Sequence, residues 1–181
     1  MLSIDTVAVL GATESGSACA VLAALAGCAV RLHDPCPEAL RRAFEAVRCR
    51  VELAFSSGAI TPSEKQRVLD GVLFTRDLEE AATAADLLVD AAAAGGAGQR
   101  ALLGELLRAT TAVAAAGAAP AADLASGLPQ PGRVLTLRLA DAHGPVPRLE
   151  IAPGPATVAH VLDRAEAFAA RVNRAARTGA R

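Results

Sequence analysis

The 181-residue chain has no tryptophan, no tyrosine, four phenylalanines and one methionine. Side chains that stack nucleic-acid bases are therefore nearly absent. Eighteen Lys and Arg stand against 19 Asp and Glu, a formal net charge of -1, so the basic excess that phosphate-backbone binding requires is missing too. Long apolar runs are also lacking. The alanine-rich stretches are interrupted by glycine and polar residues, and none makes a membrane span. No basic segment precedes an apolar core at the N-terminus, so no secretory signal is expected. These absences exclude nucleic acid and membrane as partners and point to a cytoplasmic protein. Cys19, Cys28, Cys36 and Cys49 form no C-x-x-C and accompany no histidine pair at metal spacing. No metal site is expected, and the four read as free, buried or semi-buried thiols.

Hydrophobic residues make up 52% of the chain, enough to bury one substantial core built from Ala, Val and Leu. The whole of residues 1–181 reads as a single domain. Apolar strands are expected at Val7–Leu10, Ala29–His33, Val72–Thr75, Leu87–Ala91, Ala112–Ala116, Val134–Leu139 and Leu149–Ile151. Between them fall helices at Gly16–Leu25, from Pro37 to Gly58, from a Thr61/Glu64 capping box, at Leu78–Ala82 and near Gln99–Leu107. A last amphipathic helix spans Thr157–Ala176. Strands separated by helices imply a three-layer, doubly wound, mostly parallel sheet with helices on both faces. Such sheets bind ligands at the carboxyl ends of their strands.

The stretch "VLGATESGSA", residues 9–18, joins the first strand to the first helix. A dinucleotide fingerprint, G-x-G-x-x-G, uses its first glycine for the turn, its second for backbone approach to the pyrophosphate and its third for helix–strand packing. Gly11 and Gly16 hold the first and third places, followed and spaced by Ala12. Thr13 stands in the second, putting side-chain atoms where phosphate oxygens would lie, and Glu14 adds negative charge at the helix N-terminus. The glycines that folding needs are kept, and the one that binding needs is not. Asp34 ends the second strand 23 residues after Gly11. It reads either as the acid that accepts the ribose hydroxyls of NAD or as a turn and cap aspartate ahead of Pro35 and Pro37.

The segments "TVAVLGATESGSACAVLAALAGCAVRLHDPCPEAL", "GAITPSEKQRVLDGVLFTRDLEEAATAADLLVDAA" and "LASGLPQPGRVLTLRLADAHGPVPRLEIAPGPAT" resemble the N-terminal, NAD-binding (Rossmann) domain of the 3-hydroxyacyl-CoA dehydrogenases over about residues 4–168. Residues 169–181 read as helix end and flexible tail. The resemblance implies a Rossmann-like fold, NAD as cofactor and an acyl-CoA or acyl-carrier ligand. It also implies a helical C-terminal domain after this one, which the chain lacks. Surface left by that absence implies a homo-oligomer or a protein partner covering it.

The family's general base is a histidine in a segment resembling H-F-F-N-P, oriented by a glutamate twelve residues on. Here Glu150 matches the glutamate, but Arg138 takes the histidine's place, Asp141 the asparagine's and Ala142 the proline's. Arginine stays protonated and has no acceptor, so it cannot take a proton from a hydroxyl. His143, five residues on, is a candidate replacement base. The segment matching the family's S-N-T-S-S is "AVAAAGAAPAAD", without a hydroxyl. The strand end matching E-A-V-P-E reads Asp90-Ala91-Ala92-Ala93-Ala94, and Gln99 takes the place of a lysine. Arg138 and Glu150, on neighbouring strands, read as a structural ion pair or as an anchor for an anionic ligand. Arg41, Arg42, Arg48 and Arg50 read as a solvated helix face or as contacts to CoA phosphates.

Three functions remain open on the sequence. One is a pseudoenzyme-like binding domain that has lost ordinary dehydrogenase chemistry, with NAD binding weakened or lost. Another is an NAD-dependent oxidoreductase with a rearranged site. The third is a repurposed non-redox acid/base enzyme using Arg138, Asp141, His143 and Glu150.

Overall fold

A computed structural model of the chain describes residues 3–92, 104–105, 112–116, 121–141 and 145–178. Among them, strands β1 (Thr6–Leu10), β2 (Ala29–His33), β3 (Val72–Thr75), β4 (Leu87–Asp90), β5 (Ala112–Ala115), β6 (Val134–Ala140) and β7 (Arg148–Pro153) form one sheet. Its order is β3-β2-β1-β4-β5-β6-β7. The first six strands run parallel and β7 returns antiparallel beside β6. The sheet grows outward from β1 through β2 to β3, then restarts at β4 on the other side of β1. That reversal opens a crevice at the carboxyl ends of β1 and β4. The register places the strand ends level, since Leu10 pairs with both His33 and Asp90, and Asp90 with Ala115.

Alternation along each strand divides the core in two. Val7, Val9, Val30, Leu32, Leu135 and Leu137 face one side. They pack under helices α1 (Glu14–Leu25), α2 (Pro37–Ser56), α3 (Pro62–Gly71) and α6 (Ala159–Thr178). Ala8, Leu10, Leu88, Val113 and Val134 face the other, under α4 (Leu78–Ala82) and α5 (Ala121–Ser126). Helix α1 is buried at every residue from Gly16 to Leu25, because it lies between the sheet and its neighbouring helices. A helix apolar all round belongs in such a place, and its alanines allow close approach. Helix α2 is amphipathic instead. It buries Ala39, Ala43, Val47, Val51 and Ala54 at helical spacing and turns its charged residues, Arg50 excepted, outward. No helix among the described residues is long and apolar enough to cross a membrane.

The expected fold class holds, with local differences that have physical causes. Helix α1 starts at Glu14, two residues before the position expected, because Thr13 caps it. Helix α6 starts at Ala159, since the Thr157 hydroxyl is taken by the Gly154 amide and the Val134 carbonyl. Helix α5 was not expected, its alanine-rich sequence carrying no stripe or cap to mark it. The helix expected near Gln99–Leu107 falls, apart from residues 104–105, outside the described residues. All four cysteines are free, but only Cys19 and Cys28 are buried. Cys36, at the N-cap of α2, and Cys49, on that helix's outer face, are exposed.

Candidate functional site

The loop after β1 is shaped by its two glycines. Gly11 has φ +108°, and a Cβ there would lie 2.7 Å from the Ala92 nitrogen. A Cβ on Gly16 would lie 2.2 Å from the Gly11 carbonyl oxygen. Both positions are closed to any side chain, because the loop presses against the end of β4. Its course is fixed further by the Gly11 amide, which donates to the His33 carbonyl at 2.8 Å.

Thr13 completes this loop from within. Its hydroxyl accepts from the Gly16 amide at 3.1 Å, satisfying one of the orphan donors of α1, and donates to the Ala91 carbonyl at 2.9 Å. The Ser17 hydroxyl bonds back to the Thr13 carbonyl at 2.9 Å. The amides of Thr13, Glu14 and Ser15 have no acceptor among the described residues. Three backbone donors at the positive end of α1 thus remain for an anion, although the second glycine is gone.

Asp34 lies at the carboxyl end of β2, half-buried. One carboxylate oxygen accepts from the Ala12 amide and the other from the Cys36 amide, each at 2.9 Å. The aspartate therefore ties the glycine loop to the start of α2. A carboxylate accepts about four hydrogen bonds, so these two leave room for ribose hydroxyls as well. His33, beside it, was not singled out in the sequence. It is half-buried at the strand end, and burial holds its imidazole below the usual histidine range, against an opposing hydrogen bond with the Arg76 backbone. Its place next to Asp34 was the available signal.

The remaining acidic and basic candidates lie elsewhere on the same edge. Arg138 and Glu150 are directly opposed in the β6–β7 register. Both are exposed, on the face turned away from α6, and no ion pair joins them among the described residues. The structural pair expected from the sequence is thus not formed, since water competes for both charges at an exposed site. Asp141 follows β6 with φ +58°, a left-handed conformation that aspartate tolerates, and it turns the chain sharply. His143, Ala142, Ala93, Ala94 and Gln99 lie outside the described residues. Three strand spacings separate β6 from β1, about 14 Å. The loop of Gly11, Ala12, Thr13 and Gly16 with Asp34 forms one cluster, Arg138 and Glu150 face each other across β6 and β7, and Asp141 lies beyond the end of β6.

The arginines of α2 divide. Arg41, Arg42 and Arg48 are exposed, Arg48 lying over the Phe44 ring at 5.8 Å. Arg50 is turned inward to α1, 3.8 Å from Glu14.

A glycine turn between a central parallel strand and a buried helix, an acid at the end of the next strand, and a crevice where strand order reverses define a dinucleotide-binding domain of the Rossmann type. Residues 6–177 match the family described as 3-hydroxyacyl-CoA dehydrogenase, NAD binding domain, and the chain belongs to that family. It is 28% identical over 168 residues to a 3-hydroxyadipyl-CoA dehydrogenase of Escherichia coli, a match covering 91% of this chain and 35% of that protein. It is 29% identical over 175 residues to a 3-hydroxybutyryl-CoA dehydrogenase of Mycobacterium tuberculosis, covering 94% of this chain and 61% of that one. The crystal structure of a 3-hydroxybutyryl-CoA dehydrogenase from Escherichia coli superposes with a TM-score of 0.82 at 27% identity, over 95% of this chain and 37% of that one. The chain thus spans between about a third and two thirds of the length of these relatives.

Proposed function

We propose that this domain binds an NAD-type dinucleotide, more weakly than an intact fingerprint loop would, and does not carry out ordinary oxidation of a 3-hydroxyacyl-CoA. The binding half is supported by the free amides of Thr13, Glu14 and Ser15 and by the spare acceptor capacity of Asp34. These residues would hold the diphosphate and the adenosine ribose. Bound NAD would supply the hydride acceptor, and the rest of the chemistry falls to the protein.

The observation that carries the second half is Arg138 set opposite Glu150 in the β6–β7 register. The carbinol carbon of a 3-hydroxyacyl group gives up its hydride only as the proton of its hydroxyl leaves, and a guanidinium cannot receive that proton. Loss of a general base alone costs about two to four orders of magnitude in rate. A second reading, an oxidoreductase with a rearranged site, draws on Glu150, which is exposed and has no ion pair among the described residues, and on the left-handed turn at Asp141, two residues ahead of His143 in sequence.

NADH titration and turnover of 3-hydroxybutyryl-CoA with NAD test both halves. The chain's lack of Trp and Tyr leaves bound NADH to dominate its near-ultraviolet spectrum. Binding without turnover is expected. No binding up to about millimolar NADH removes the cofactor half. Turnover by the wild-type protein that disappears in Glu150→Gln establishes the second reading instead.

A further inference from the structure

Among the described strands, β3 ends the sheet on one side and β7 on the other. Native sheets blunt such edges with charge or proline, because an open row of backbone groups invites another strand. β7 is blunted, with Arg148, Glu150 and Pro153 along it. β3 reads Val72-Leu73-Phe74-Thr75 and carries neither charge nor proline. Val72 and Phe74 pack towards α1, α2 and α3, so Leu73 points to the opposite face, where it is 49% exposed. Phe44 of α2 packs edge-on against the Phe74 ring at 5.5 Å and is 44% exposed. Apolar side chains are thus open to water on both faces of this edge.

The backbone shows what the edge can take. The Asp34 amide donates to the Thr75 carbonyl at 3.3 Å, so Thr75 turns its backbone groups towards β2, and by alternation Leu73 does the same. Val72 and Phe74 turn theirs outward. In an antiparallel pair, opposed residues that exchange both bonds alternate with opposed residues that exchange none. Two copies of β3 satisfy this pattern about a two-fold axis when Val72 of each lies opposite Phe74 of the other. Every outward backbone group of the strand then has a partner. Leu73 lies opposite its own copy at the axis, in the close type of pair with Cα atoms about 4.5 Å apart, where the two side chains cover each other. A slip in one direction would draw in Arg76, whose backbone already bonds the His33 side chain, and a slip in the other would draw in Asp70, which belongs to α3. The antiparallel order also sets the Asp70 end of each copy against the Arg76 end of the other. Both of these side chains are exposed and they are opposite in charge. Asp77, beside Arg76, is engaged in capping α4 through the Glu80 amide.

We propose that a second copy of this chain pairs with β3, edge to edge and antiparallel, joining two sheets into one across a two-fold axis at Leu73. An isologous contact of this kind is closed by its symmetry and stops at a dimer. It covers little beyond the strand, Leu73 and the Phe44–Phe74 pair, so the dimer is weak and forms as concentration rises. The pairing does not draw on the dinucleotide reading above.

Sedimentation velocity of the full chain from about 1 to about 100 μM tests it. A shift from monomer towards dimer is expected across that range. Leu73→Lys puts two cations together at the axis and is expected to leave a monomer throughout, with the circular dichroism spectrum of the wild type, because the side chain is exposed in the single chain. Leu73→Glu should behave alike. Mixing the two variants should restore a dimer with one copy of each, since position 73 faces itself only in this register. Should these variants fold poorly, Arg76→Asp is expected to weaken the wild-type dimer several-fold, and Asp70→Arg added to it to recover much of the loss. A wild-type protein still monomeric at about 100 μM overturns the inference and leaves the edge to a different kind of strand. A dimer that persists in Leu73→Lys overturns it as well, because the contact then lies on another surface. So does a mixture of the Lys and Glu variants that fails to associate.

Discussion

The Thr13 hydroxyl joins two elements that its neighbours in sequence do not, capping α1 through the Gly16 amide and fastening the glycine loop to β4 through the Ala91 carbonyl. The residue standing in the phosphate position of the fingerprint is therefore structural in this protein. Thr13→Gly removes the cap and the fastening together. Glycine at an N-cap costs a few tenths of a kcal/mol and loss of the bond to Ala91 about 1 kcal/mol, and for a domain of this size that is about 2–4 °C in Tm. Thr13→Ser, which keeps the hydroxyl, should melt close to the wild type. The pair Thr13→Gly with Glu14→Thr should melt lower and yet bind NADH more tightly, because it widens the loop and removes the carboxylate. Thermal denaturation followed by circular dichroism, with NADH titration of the same samples, checks both directions.

Gly16 and Gly27 separate crowding from backbone strain. A methyl at Gly16 would meet the Gly11 oxygen at 2.2 Å, with Val9 and Ala91 side chains at 3.3 Å behind it. Gly27 has φ +83°, with nothing within 4 Å of its would-be Cβ. Gly27→Ala should cost about 1–2 kcal/mol, the penalty of a left-handed alanine. Gly16→Ala must push α1 away from β4 and should cost more than about 3 kcal/mol, or prevent folding. Urea unfolding of the two variants distinguishes these effects. Equal losses would show that the contact between loop and strand yields easily.

Much of the fold could be read from the sequence because it is written in local signals. β2, β3 and α4 run between the residues their patterns indicate, and the Thr61/Glu64 capping box begins α3 as its spacing requires. The site was less legible, because its decisive contacts join residues far apart in the chain. Asp34 holds the Ala12 amide 22 residues back, and Thr13 reaches Ala91 over 78 residues. Nothing in "GATESG" announces that the threonine will serve as a cap for its own helix and not as an obstacle to phosphate. Arg50 reads like the other arginines of α2 until the packing of α2 on α1 turns it towards Glu14. Arg138 and Glu150 were legible as strand neighbours, but exposure decides whether such neighbours pair, and that depends on what covers the hairpin.

Two buried thiols and one histidine contribute to the pH dependence of stability. Burial pushes the Cys19 thiol from 9.0 up to about 12 and raises Cys28 in the same direction, with Arg171 opposing. Above about pH 9 the unfolded chain loses these protons while the folded chain keeps them, so stability falls as pH rises. Cys19 contributes at most about 1.4 kcal/mol per pH unit to that slope. His33 acts at the other end. Its folded pKa is depressed by burial, so below its ordinary 6.5 the unfolded chain takes up a proton that the folded chain resists. Stability contributed there is lost as pH falls. Cys19→Ala should flatten the alkaline limb, and His33→Gln the acid one. Denaturant midpoints measured across the range check this, and an unchanged alkaline slope in Cys19→Ala would assign the effect to other groups.

Asp86 and Asp5 both pair with arginines of α6, and they should not be equivalent. Asp86, just before β4, accepts from the Asp5 and Thr6 amides at 3.0 Å each with one oxygen. Its other oxygen pairs with Arg164 at 3.0 Å, and the Arg164 side chain is only 11% exposed. It thus joins the start of β1, the start of β4 and α6 at one point. Asp5 meets Arg171 at 2.9 Å, but its own side chain is 64% exposed, so water can replace it. Asp86→Ala leaves two backbone donors without their acceptor and takes the carboxylate from a nearly buried guanidinium that keeps the Ser3 carbonyl, and should cost about 2–4 kcal/mol with little dependence on salt. Asp5→Ala should cost much less, and the difference from wild type should shrink further as salt is added. Urea unfolding at low and high salt separates the two cases. Equal losses would mean that α6 is held to the sheet by its apolar face, through Phe168 and Val172, and not by Asp86.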